Sequence, residues 1–178
     1  MRFSYYDRLS AARQKIYRRS DAIVMLGLPP GLQLGATVQR IQSALRDDDH
    51  DALQRSCQEL VDALNAGYRV PPARVRILAR RPVEGDGELH GLYEPGERQA
   101  PARITAWMRT AQRRQVVAFK TFLRTLIHEL CHHLDYELFA LEETFHTEGF
   151  YKRESSLVTA LLAQRNGPAS TVGDRSRA

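Results

Sequence analysis

The stretch His128-Glu129-Leu130-Cys131-His132 lies inside a run of apolar residues at helical spacing, and its reading decides the fold. Val116, Phe119, Leu123, Ile127, Leu130, Leu134 and Leu138 recur every three or four positions, which predicts one long amphipathic helix from about Gln115 to Leu141. His128 and His132 then project from one face a single turn apart, so both reach one ion. Imidazole nitrogens bind zinc at about 2.0–2.1 Å, and a catalytic zinc site keeps three protein ligands and leaves its fourth position to water. Glu129 would stand beside that water without entering the coordination shell. The chemistry expected is hydrolysis, with Zn2+ lowering the pKa of its water towards about 7 and Glu129 serving as general base, then passing the proton to the leaving amine.

A third ligand has to come from further along the chain. His146, fourteen residues after His132 and beyond room for a turn, is the preferred candidate. It heads a second predicted helix, Thr147 to about Gln164, on which Phe150, Arg153 and Glu154 share its face. A carboxylate from Glu142, Glu143, Glu148 or Glu154 is the alternative, since some zinc hydrolases complete their site with glutamate.

Upstream of the motif helix the period changes. Val75, Ile77 and Ala79 alternate with Arg74, Arg76 and Leu78, the two-residue pattern of a half-buried strand. Gly85-Asp86-Gly87 is turn chemistry, so Glu88 to Tyr93 is expected to return as the second arm of a hairpin. Arg103 to Thr110 reads as a third strand, with Ile104, Ala106 and Met108 on one side. Before the strands come helical patterns: Ser4 to Arg19 with Ser4 as cap, Thr37 to Leu45, and Asp51 to Leu64 with Gly67 just beyond its end, separated by the breaker Gly27-Leu28-Pro29-Pro30-Gly31. The organisation expected is a helical N-terminal subdomain at 1–67, a catalytic domain at 68–165 and a disordered tail at 166–178. The class is α+β, a small three-stranded sheet packed on the metal-binding helix with an N-terminal helical extension.

Composition narrows the class of protein. With 43% hydrophobic and 26% charged residues, the chain can bury a core and is neither fibrous nor disordered. No apolar run is long enough for a signal peptide or a membrane span, so a soluble, cytoplasmic protein is expected. Cys57 and Cys131 are too few for a disulfide framework or a four-cysteine zinc site. A formal charge of +5 permits binding to nucleic acid, but the arginines are spread along the whole chain.

Taken together, His128-Glu129-x-x-His132 and His146-x-x-x-Phe150 resemble the SprT-like, or Spartan-type, zinc metallopeptidases. The likeness runs from about Val75 to Leu162 and leaves out the N-terminal helices. It implies a minimal zincin fold, a protein or peptide substrate lying along an exposed edge strand, Zn2+ held by His128, His132 and His146, and Glu129 as base. The family's best-known members act on proteins attached to DNA. This chain has no cysteine-rich zinc ribbon after the catalytic part, and its link to DNA is weakened accordingly. The competing expectation is a zinc-containing binding module without turnover, associated with nucleic acid.

Other chemically able residues have plainer readings. His133 points a quarter-turn away from the ligands, towards the surface or a hydrogen bond. Asp135 is placed to accept from a ligand's second ring nitrogen. Cys131 is expected to be buried and inert, Tyr136 and Tyr151 to pack, and His50 and His90 to be uninvolved. Trp107 reads as core, or as a pocket wall if the third strand is the substrate-binding edge.

Overall fold

The structure, a computed structural model, describes residues 3–84, 87–97 and 100–166. Among these the chain runs through a 3-10 turn (Tyr6–Arg8), helices α1 (Ala11–Ala22), α2 (Gly35–Arg46) and α3 (His50–Tyr68), then strands β1 (Ala73–Arg80), β2 (Val83–Glu84), β3 (Gly87–Glu88), β4 (Gly91–Glu94) and β5 (Ala102–Arg109). Helices α4 (Phe119–Glu137) and α5 (Glu148–Asn166) complete it. The class is α+β with a small mixed sheet. No helix among the described residues is long and apolar enough to cross a membrane. The expected tail beyond Asn166 and the turn at 85–86 lie outside the described residues.

The sheet order is β1-β5-β4, with β1 parallel and β4 antiparallel to β5. This corrects the expected hairpin: β4 pairs with β5 and not with β1, while the two-residue strands β2 and β3 pair with each other. Burial explains the placement. In β5 nearly every residue is buried on both faces, so it belongs in the middle, whereas β1 alternates buried Ala73, Val75 and Ile77 with exposed Arg74 and Arg76. Trp107 therefore stands buried on the central strand and not on an edge of the sheet.

Helix limits also shift for identifiable reasons. Val116 and Val117 belong to an extended segment that bonds back to Arg109 and Met108, so α4 begins at Phe119 and not at Gln115. The N-cap of α1 is Ser10, whose hydroxyl accepts from Arg13 N at 3.3 Å; Ser4 precedes the 3-10 turn. Gly67 lies within α3, where a side chain would collide with the Pro29 ring, and the helix ends at Arg69 in the left-handed region.

One apolar core joins α2 and α3 to the sheet and to α4 and α5, drawing on Ile41, Leu53, Leu60, Ile77, Ile104, Leu126, Leu130 and Leu161. Fully burying side chains of this size stabilises the fold by about 1.5–3 kcal/mol each. Helix α3 does a second job at the outer edge of β1. Gln58 accepts from Val75 N at 2.8 Å and donates to Ala73 O at 3.0 Å. One turn earlier, Gln54 accepts from Ile77 N at 2.8 Å and donates to Val75 O at 2.9 Å. His50 Nε2 donates to Ile77 O at 2.8 Å. These side chains replace a neighbouring strand and close one edge of the sheet, which leaves β4 as the edge without a strand neighbour among the described residues. Gln58→Ala removes two of these bonds, and unfolding in urea should show a loss of about 1–3 kcal/mol; a loss under about 0.5 kcal/mol would contradict this role for α3.

Candidate metal centre and cleft

Position and phase on α4 bring His128 and His132 to the same wall, and the irregular segment after α4 returns His146 opposite them. The three Nε2 atoms lie 3.0 Å (His128 to His146), 3.3 Å (His128 to His132) and 3.0 Å (His132 to His146) apart. These histidines are close enough to hold a metal ion. Tetrahedral coordination with bonds of about 2.0–2.1 Å separates neighbouring ligand atoms by about 3.3–3.4 Å, so the triangle approximates one face of such a tetrahedron, with the two edges to His146 shorter than ideal.

Hydrogen bonds commit the rings to this role. His128 Nδ1 donates to Glu154 Oε2 at 2.8 Å, and Arg124 Nη1 holds the other oxygen of that carboxylate at 2.5 Å. Thr144 Oγ1 donates to Asp135 Oδ2 at 2.7 Å, so its oxygen accepts from His132 Nδ1 at 2.8 Å. Both rings thus carry their proton on Nδ1 and present the Nε2 lone pair inwards. Burial pushes the His132 imidazole down to about 3, and the neighbouring His128 and His146 add to the shift. His146 is lowered too, by burial first and by His128, with Glu154 opposing. Neutral rings are the form that binds metal. Phe150, fully buried, backs all three imidazoles with ring centroids 4.7–5.2 Å away, which gives the aromatic four residues after His146 a packing reason.

Glu129 lies on the next face of α4, buried beneath β4. Burial raises its carboxyl to about 7, with Glu154 adding to the rise and His128 and a hydrogen bond from the Tyr93 backbone opposing it. Gly91 on β4 makes room for it: any β-carbon there would overlap the Glu129 carboxylate. His133 is buried and not on the surface; its Nε2 donates to Pro71 O at 2.9 Å, so Nδ1 accepts from the Tyr93 hydroxyl at 3.2 Å, and this fixes β4 against the helix. Cys131 is buried as expected, its thiol pushed up by burial.

The histidines and Glu129 open onto a cleft of about 730 Å³, walled by β4, by Thr121, Arg124 and Thr125 of α4, and by Tyr136 and Tyr151. His90 is also on this wall, whereas His50 is far away at the edge of β1. The four rival carboxylates are engaged elsewhere. Glu142 pairs with Arg19, Glu143 with Arg13, and Glu148 with Lys152, while Glu154 meets the outward nitrogen of His128. Among residues that sequence reasoning passed over, Thr144 and Gly91 carry no motif signal; only their three-dimensional neighbours reveal them. No family model, no curated protein and no solved structure matches the chain.

Outer partners of this kind typically contribute 10–100-fold to metal affinity. Chelator competition with Zn2+ should therefore show Thr144→Val binding roughly 10–100-fold more weakly than the parent, with Thr144→Ser close to it. Equal affinity in the valine variant would remove Thr144 from the centre.

Proposed function

We propose that this chain is a zinc metallopeptidase of the minimal zincin type, similar to the SprT-like peptidases. The observation that carries the reading is the convergence of three inward-facing Nε2 atoms on a cleft that also holds a buried glutamate and an open strand edge. Three converging imidazole nitrogens suit Zn2+, and among the described residues the group comprises three ligands and no fourth. A structural zinc site is ordinarily closed by four, and this favours catalysis over a binding module.

When bound, the ion supplies Lewis acidity, which makes water a nucleophile near neutral pH and polarises the scissile carbonyl. The chain's own residues do the rest. Glu129, next to the first ligand and poised near neutrality, accepts a proton from the attacking water and returns it to the departing amine. Beside it, Gly91 to Glu94 pair with β5 on one side and, among the described residues, with no strand on the other, so an extended peptide can add to β4 as a further strand and lay its backbone across the histidines. The cleft wall supplies Leu89, Leu92 and Tyr93 for apolar side chains.

Glu129→Gln preserves the size of the side chain but removes the proton acceptor. Peptide or casein cleavage should fall by roughly 10²–10⁴-fold while one Zn2+ per chain is retained. Cleavage at the parent rate would overturn Glu129 as base, and no cleavage by either protein across a broad substrate panel would favour the binding module.

A further inference from the structure

The N-terminal segment lies outside the part of the chain that resembles a peptidase, yet it is built onto the turn that carries the third histidine. Tyr5, Tyr6 and Tyr17 form, with Phe145, a small aromatic cluster separate from the main core. Phe145 is the residue before His146, and the Tyr5 hydroxyl donates to the His146 carbonyl at 2.9 Å. Arg13 forms an ion pair with Glu143, and Arg19 with Glu142, donating also to Ala140 O at 3.2 Å. At the C-terminal end of α1, Asp21 accepts from Gly149 N at 2.9 Å and so caps α5. The backbone of Asp21 comes so close to Gly149 that a β-carbon would not fit there. Ser20 O and Ile23 O accept from Arg153, which is itself bonded to Asp135, the residue that orients Thr144 and through it His132.

We infer that residues 3–23 are a positioning clasp for the metal centre, whose docking sets His146, and through Arg153 also His132, in ligating geometry. The inference rests on the metal-centre reading but not on peptide cleavage. Residues 138–147 contain no regular helix or strand and place Ala140 in the left-handed region, so little in their own backbone fixes the direction of His146. The constraint comes from the contacts just described, and it works on ligand position, with no group of the clasp touching the reacting atoms.

Coupling of this kind is reciprocal: if docking of the clasp strengthens metal binding, metal binding must strengthen docking of the clasp by the same factor. Hydrogen exchange on the full chain, with and without Zn2+, should show added protection in residues 3–22 together with 140–149. Tyr17→Ala, which opens the aromatic cluster but leaves the main core untouched, should weaken Zn2+ binding by roughly tenfold or more, while exchange in α3 and β5 without metal stays at the parent level. Zn2+ that protects 140–149 and leaves 3–22 unchanged would overturn the clasp, as would a Tyr17→Ala variant of parental affinity. A parent chain that binds no Zn2+ would overturn the clasp and the metal centre together, so the two failures are distinguishable.

Discussion

A guanidinium with no access to water ties this structure together. Arg153 of α5 is fully buried against the equally buried Asp135 of α4, with Arg153 Nη2 2.5 Å from Asp135 Oδ1. Removing one partner of such a pair leaves an uncompensated charge and typically costs about 3–5 kcal/mol. The two Nη atoms offset much of that cost: Arg153 also donates through them to the Ser20 hydroxyl and to the carbonyls of Ser20 and Ile23, and lies over the rings of Phe139 and Phe150, while its Nε has no hydrogen-bond partner among the described residues. Three elements that are distant in sequence, α1, α4 and α5, can satisfy it only by being in register with one another.

That register is what a three-histidine centre requires. Two of the imidazoles are spaced by the pitch of one helix and need only their rings oriented, but the third arrives on an irregular turn and must be positioned from outside as well. The arrangement has two arms. Glu154, next to Arg153, fixes the ring of His128, and Asp135, the partner of Arg153, fixes His132 through Thr144. Adjacent residues on α5 thereby orient adjacent corners of the triangle. The sheet supplies the other half of the cleft. Because α3 closes the edge of β1 with its own side chains, β4 is the edge of the sheet left without a neighbouring strand among the described residues, and Gly91 and Tyr93 bring that strand down onto Glu129.

Local periodicity made much of this legible before any coordinates. The apolar stripe from Phe119 to Leu134 announces α4, and a four-residue interval between His128 and His132 places both on one face. The alternation in β1 and the outline of β5 are readable too, as is the nomination of His146, because its partners are defined by spacing. What escaped is pairing over distance. Nothing near Gly91 states that β4 joins β5, since strand order depends on which strand is buried on both faces. Gln54 and Gln58 look like ordinary helix-surface amides until a strand edge lies against them. For His133 the helix phase left surface exposure or a hydrogen bond open, and only the approach of Tyr93 and Pro71 decides for a buried, hydrogen-bonded ring. Thr144 is invisible for the same reason: a hydroxyl in a loop acquires its role from the two groups it bridges.

The central claim is a single cation held by three imidazoles with one side open to the cleft. X-ray absorption at the zinc edge of the loaded full-length protein tests it most directly. The account predicts three nitrogen scatterers with the outer-shell pattern of imidazole at about 2.0–2.1 Å and one further light atom. A sulfur scatterer near about 2.3 Å, or a shell with fewer than three imidazoles, would contradict it.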